Sequence, residues 1–357
     1  MSRRVFLLAI VAAASSTALA GWYILSVPTA RVATPTPTLS LSTPPISLPV
    51  ELTPTELAAV ASGAASTTHG APVPPAPSAA ELTAAALEIR ATLVNIICIA
   101  PDASSIRSIS ASGVLISPMG YILTNAHVAQ YFLLADQDVS CVIRMGDPAR
   151  PAYIAELAYI PAKWVRDNAS VVSELAPRGT GERDFALLAI TGSATKAPLP
   201  PSFPYVRLAS RATGVATPVV IGSYGAQDLS LKEIASALSP TIVARAVKSL
   251  YTFGTSTPDL LALGGSAAAQ EGSSGGGVLG LDGTVRGCVT MSTATGAYST
   301  RSLSAISATY IRREYQAETG TGLDVLIATP PAVAVAAFAP QARTLEALIL
   351  ATLPSQD

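Results

Sequence analysis

Histidine is nearly missing from this chain. Only His69 and His127 occur in 357 residues, so histidine-dependent chemistry has two candidates. Cysteine is scarce as well: Cys98, Cys141 and Cys288 are too few for a disulfide framework and are not spaced as a metal site. One disulfide such as Cys98–Cys141 in an oxidising compartment, or three buried small hydrophobes, fits them equally. Charged residues make up 13% with a formal net charge of −1, which offers no electrostatic basis for a nucleic-acid partner. Aromatics contribute 5% against a hydrophobic content of 50%, so the apolar weight lies in Ala, Val and Leu. That balance suits a β-rich core with an Ala-rich tail and excludes global disorder.

What is present falls into four zones: 1–27, 28–80, 81–310 and 311–357. Arg3 and Arg4 precede an uncharged, mostly apolar run from Val5 to Val27, long enough to span a bilayer. The two arginines predict that this end stays in the cytoplasm and that the remainder is exported. Ala18-Leu19-Ala20 could serve as a cleavage site. Trp22-Tyr23-Ile24-Leu25 carries the apolar run past it, which favours a retained signal anchor over a cleaved peptide. The expected location is a single-pass place in the cell membrane with the folded part in the periplasm or outside the cell, secreted if the signal is cleaved. Residues 28–80 are rich in Pro, Thr, Ser and Ala and read as a disordered linker. Fully extended as polyproline it would reach about 150 Å. His69 lies in this linker beside Gly70, which leaves His127 as the one histidine of the folded part.

From Ser78 the pattern changes. Ser78-Ala79-Ala80-Glu81 has the form of a capping box ahead of a helix to Arg90. Short apolar segments then recur between turn residues: 92–99, 110–116, 121–124, 140–144, 152–155, 185–190, 218–221, 241–247 and 285–291. Few helices interrupt them, which argues for an all-β barrel or sandwich. Residues 163–175 form an expected helical insertion, 304–318 an expected helix, and 330–353 an Ala- and Leu-rich tail.

The stretch with most chemical content is Glu271-Gly272-Ser273-Ser274-Gly275-Gly276-Gly277. In a G-x-S-G-G turn the amides of the first Gly and of the Ser can point into one small space, where they would stabilise an oxyanion. Ser274 would attack while the amides of Gly272 and Ser274 form the hole. A glycine-rich connector between strands accounts for the same residues. His127 follows the segment 121–124 directly, where a neutral imidazole could act as a base; a strand-end histidine with a satisfied hydrogen bond is the plainer alternative. Asp184 opens the apolar run Phe185–Ile190 and is the carboxylate best placed to orient an imidazole, or else simply a strand-opening turn residue.

Four segments occur in order: Ser112-Gly113-Val114-Leu115-Ile116-Ser117, Gly120-Tyr121-Ile122-Leu123-Thr124-Asn125-Ala126-His127-Val128, Asp184-Phe185-Ala186-Leu187-Leu188 and Gly272-Ser273-Ser274-Gly275-Gly276. Together they resemble the trypsin-like serine proteases, most nearly the bacterial Deg (high-temperature-requirement) type. The order His, Asp, Ser is that of the chymotrypsin fold. The resemblance covers roughly residues 81–305. It implies a double six-stranded β-barrel, all-β, with an N-terminal transmembrane or signal helix and a short helical C-terminal tail. It also implies a serine endopeptidase acting through an acyl-enzyme: His127 as base, Asp184 as its orienter, Ser274 as nucleophile, Gly272 and Ser274 as oxyanion donors. No metal or cofactor is implied. Partners would be polypeptide substrates and, through the N-terminal helix, the membrane; no residue pattern specifies an oligomeric state. The type further implies a role in envelope protein quality control. Walls of the specificity pocket would lie at 292–294 and 266–270, a loop without charge, which suggests small or medium apolar side chains in the substrate. Three departures stand out: a long 148–182 connection, Ser273 where Asn or Asp is common, and too little C-terminal chain for a PDZ module. The alternative reading is a catalytically inactive, protein-binding module on the same fold.

Overall fold

The computed structural model describes Val50–Glu51 and residues 76–102, 104–174, 179–254, 257–291 and 296–353. The expected membrane segment, His69 and nearly all of the expected linker therefore lie outside the described residues. Of that linker Val50–Glu51 (β1) and residues 76–80 are described; β1 pairs with the edge of a sheet, and residues 79–80 are not linker but the first turn of a helix. Everything below belongs to one compact unit, Ile46–Asp357.

Ser78 caps helix α1 (Ala79–Thr92) as its spacing to Glu81 predicts. The Ser78 hydroxyl accepts from the Glu81 amide and the Glu81 carboxylate accepts back from the Ser78 amide at 2.8 Å. The helix buries Ala85 and Ile89 and hands the chain directly to the first barrel.

That barrel uses β2 (Leu93–Ile99), β3 (Ile109–Leu115), β4 (Tyr121–Thr124), β5 (Ser140–Met145), β6 (Arg150–Tyr159) and β7 (Ala186–Ser193). They close in the order β2-β3-β4-β7-β6-β5. Closure removes every edge, and the β4 and β7 side chains are almost wholly buried, which is why these strands read as apolar runs rather than alternating ones. Cys98 and Cys141 face each other across β2 and β5 and form a disulfide, while Cys288 is a buried free thiol.

The second sheet contains β8 (Arg207–Leu208), β9 (Pro218–Ser223), β10 (Thr241–Ala246), β11 (Ser249–Thr252), β12 (Leu260–Ala262), β13 (Gly277–Gly280), β14 (Thr284–Met291) and β15 (Leu303–Ser307). Its path is β1-β11-β12-β15-β14-β13-β9-β10, with β8 parallel to β14. Two barrel-like sheets are thus present as expected. The first is closed, and among the described residues the second is a half-barrel around Val219, Ile221, Leu261, Val278, Val289 and Ala305.

Two helical expectations need revision. The segment 304–318 begins as strand: β15 pairs on both sides, with β12 and β14, and its burial outweighs the helical composition of the residues that follow. Helix α5 (Ala308–Thr319) starts only after Ser307, whose hydroxyl accepts from the Tyr310 amide at 3.1 Å. The 163–175 insertion is α3 (Ala162–Asn168) followed by a 3-10 segment, Ala169–Ser173. A short helix, α4 (Leu231–Ala237), lies between β9 and β10.

The tail continues through α6 (Leu323–Ile327) to α7 (Pro331–Leu350). Ser117 Oγ donates to the Ile327 carbonyl and Tyr121 Oη to the Thr329 carbonyl, both at 2.7 Å, so the tail is pinned onto the first barrel. Helix α7 is long and apolar enough to cross a membrane by length and composition, yet it buries Ala334, Phe338, Leu345 and Ile349 in the core. Phe338 sits edge-on to Tyr159, 6.2 Å between centroids. Truncating Phe338→Ala should therefore cost about 3 kcal/mol. Denaturant unfolding of the purified chain measures this, and a loss under 1 kcal/mol would mean that the tail is not part of the core.

Candidate active site

Strand pairing alone brings His127 and Asp184 together. In the antiparallel β4–β7 ladder Thr124 faces Ala186, so the residues just after β4 and just before β7 emerge at the same end of the barrel. His127 sits in a single helical turn, α2 (Ala126–Ala129), which directly follows the strand. Asp184 follows Arg183, which takes a left-handed φ of 56° and bends the chain before β7.

The Asp184 carboxylate engages His127 twice. Oδ1 accepts from the His127 amide at 2.9 Å, and Oδ2 lies 2.8 Å from Nδ1. An ionised carboxylate can only accept, so the proton of the ring resides on Nδ1 and the lone pair on Nε2 is free. The carboxylate side chain is 6% exposed and the imidazole 29%, so the ring reaches solvent while its anchor does not. Burial of the ring opposes its charged form, but the charge of Asp184 and the hydrogen bond outweigh it, leaving the His127 pKa above its ordinary value. Asn125 supports the same turn: its Nδ2 donates to the Asp184 carbonyl at 2.8 Å. Burial, reinforced by Asp184, raises the Cys288 thiol far above its usual range, which keeps it protonated and inert.

The serine turn comes from the other sheet, three residues ahead of β13. Ser273 and Ser274 part company here. Ser273 is fully buried and its Oγ accepts from Ser223 Oγ at 3.1 Å, whereas Ser274 remains partly exposed. The Ser274 carbonyl accepts from the Ser112 amide of β3 at 2.8 Å, and Thr124 Oγ1 donates to the Ser112 carbonyl at 2.8 Å. Through Ser112 the turn is thus tied to the end of β4, three residues from His127. Gly275 has φ 87°, and a Cβ there would lie 1.9 Å from the Ser112 carbonyl oxygen and 2.4 Å from Thr124 Oγ1. No residue with a side chain fits that approach.

The amides beside the serine have a defined direction. The C=O and N–H of one trans peptide point oppositely. Glu271 C=O accepts from the Ala226 amide at 2.8 Å, so the Gly272 N–H points away from Ala226. Ser273 C=O accepts from the Gly276 amide at 3.0 Å, so the Ser274 N–H likewise points outward. Among the described residues neither amide donates to a protein acceptor.

The loop 266–270 packs tightly, with Ala268 and Ala269 fully buried, while 292–294 lies outside the described residues. Arg301, which the sequence reading passed over, backs this loop. Its Nη1 donates to the Ala269 carbonyl at 2.8 Å, its Nε to the Gly296 carbonyl at 2.9 Å, and its guanidinium lies 4.4 Å from the Tyr298 ring centroid. Ser112 was visible only as part of a motif, and no local pattern marks either residue. Among the described residues no cluster of His, Cys, Asp and Glu is arranged to hold a metal ion.

The profile of the trypsin-like peptidase domain matches residues 111–287. The chain carries a trypsin-like serine peptidase domain. Comparison with curated protein sequences returns no match. Among solved structures the peptidase is similar to the Rv3671c protease of M. tuberculosis in its active form, at 19% identity over 72% of this chain and 95% of that one, TM-score 0.41. It is similar also to an inactive form of Rv3671c from M. tuberculosis H37Rv with a serine replaced by alanine, at 17% identity over 72% and 98%, TM-score 0.41.

A raised folded-state pKa means that the charged His127–Asp184 pair stabilises the fold below the ordinary histidine pKa of 6.5. That contribution is lost as pH rises through the folded value. In an NMR titration the His127 ring should show a midpoint above 6.5, falling in Asp184→Asn; an unchanged midpoint in the variant would contradict the pairing.

Proposed function

We propose that this peptidase is an active endopeptidase, exported and held at the membrane by residues 5–27, that cleaves polypeptides through an acyl-enzyme. The observation that carries this reading is the double engagement of Asp184 with His127, which leaves Nε2 free as a base at the end of the barrel to which the Ser274 turn is tied. Ser274 Oγ attacks the scissile carbonyl carbon as its proton passes to His127 Nε2. The carbonyl oxygen becomes an oxyanion between the amides of Gly272 and Ser274, each worth roughly 3 kcal/mol of transition-state stabilisation. Collapse breaks the C–N bond, and His127 returns the proton to the leaving amine. Water then repeats the sequence on the ester, and Ser274 is regenerated. Asp184 holds the tautomer throughout and stabilises the transient imidazolium.

The loop 266–270, an expected wall of the specificity pocket, carries no charged side chain, which supports cleavage after small or medium apolar residues. A strong preference for Arg or Lys in a peptide library would contradict this. The part in envelope protein quality control rests on the resemblance alone. The anchor is tested by the N-terminus of the membrane-bound protein, read by mass spectrometry: loss of residues 1–20 would mean cleavage and release.

Activity is tested with a fluorophosphonate probe. The wild type should label and Ser274→Ala should not. A folded wild type that takes no label would sink the reading, and a labelled Ser274→Ala would move the nucleophile elsewhere. Asp184→Asn should lower kcat by on the order of 10³–10⁴-fold. The acid limb of kcat/KM should have its midpoint above 6.5, because the base works only when deprotonated and its pKa is raised.

A further inference from the structure

We propose that Ser112 is a positioning residue for the oxyanion hole, its hydroxyl fixing the direction of the Gly272 amide from the opposite barrel. The proposal rests on the reading above that the Gly272 and Ser274 amides receive the oxyanion. Ser112 is fully buried on β3, and its backbone and side chain are all engaged. Its amide and carbonyl tie the Ser274 turn to Thr124 as described. Its Oγ donates to the Gly272 carbonyl at 2.8 Å and accepts from the Tyr224 amide at 2.8 Å.

Those two bonds control the one flexible joint in the hole. Gly272 has φ 90°, and without a Cβ it imposes little of its own direction on the peptides to either side. The peptide that precedes it is held by the Ala226 amide at Glu271 C=O, and the peptide that follows it by Ser112 Oγ at Gly272 C=O. The Ala226 anchor depends on Ser112 too, since Ala226 lies two residues beyond Tyr224, whose amide is bound to the same hydroxyl. Removing that hydroxyl leaves a part-buried acceptor and a buried donor without their shared partner, and frees the peptides on either side of Gly272 to rotate. Rotation of the 271–272 peptide turns the Gly272 N–H out of the hole. A group that donates and accepts in a site with no spare volume is a hydroxyl; alanine does neither, and a thiol does both weakly.

A structural role alone would lower stability and leave the balance between ground-state and transition-state binding untouched, so the test reads that balance. In the purified full chain, Ser112→Ala should lower kcat on a peptide substrate 10- to 100-fold while KM stays within about threefold, the signature of an interaction made in the transition state. A peptidyl trifluoromethyl ketone accepts Ser274 Oγ at its carbonyl carbon, passes the proton to His127 and leaves an oxyanion in the hole. It should inhibit Ser112→Ala at least tenfold more weakly than the wild type. Ser112→Cys keeps a single γ atom, bulkier than the hydroxyl and a weaker donor and acceptor, and should lose kcat at least threefold with KM within about threefold; it carries the test if Ser112→Ala does not fold. Wild-type kcat in either folded variant, or a loss expressed in KM alone, overturns the positioning role. Fluorophosphonate labelling of the wild type but not of Ser274→Ala, run alongside, separates the two readings. An unlabelled wild type overturns the site and this role together, whereas a labelled wild type with a fully active Ser112→Ala overturns this role alone.

Discussion

A carboxylate taken out of water must find donors, and Asp184 finds two of them on one residue. The pair works because the ladder between β4 and β7 delivers both residues to one rim of a closed barrel. A slip of one residue in that ladder would turn every side chain of β4 to the opposite face and carry the histidine away with it. The apolar run before His127 and the apolar run after Asp184 are therefore part of the pairing: their burial sets the register, and the register sets the distance.

The serine side is governed by a different economy. Apart from Glu271 no side chain of the turn is charged, and its geometry is written largely in backbone hydrogen bonds. Glu271 and Ser273 each give their carbonyl to a partner, and the amides that follow are left facing outward. The glycines permit this conformation without choosing it. Partners come from the neighbouring segment Tyr224–Ala226 and from β3, so the two sheets together hold this one turn.

The pairing of His127 with Asp184 was legible in the sequence, and Ser274 stood out as a candidate beside it, because scarcity isolates them: one histidine in the folded part, one aspartate opening an apolar strand, one serine turn followed by three glycines. The closed barrel was legible for a related reason, as strands buried on both sides leave continuous apolar runs. What stayed hidden depends on contacts far apart in the chain. Ser112 meets Gly272 across 160 residues, and nothing near Ser112 announces that partner. Arg301 reads as a surface charge until the loops around it are folded. Residues 304–307 read as helix because composition is local, whereas their pairing with two strands is not. The G-x-S-G-G spacing points to Ser274 rather than Ser273, and what it does not show is the depth that buries Ser273 and leaves Ser274 partly exposed.

The tail pinned onto the first barrel also orders events in time. Ser117 bonds a carbonyl 210 residues later, and Phe338, Leu345 and Ile349 are synthesised well after the barrel strands that they cover. The first barrel is complete in its strands by Ser193, yet the surface that these side chains cover is supplied only once α7 has been made. The outer cover of the first barrel is thus supplied by a segment made long after its strands, and a barrel without α7 would expose an apolar face.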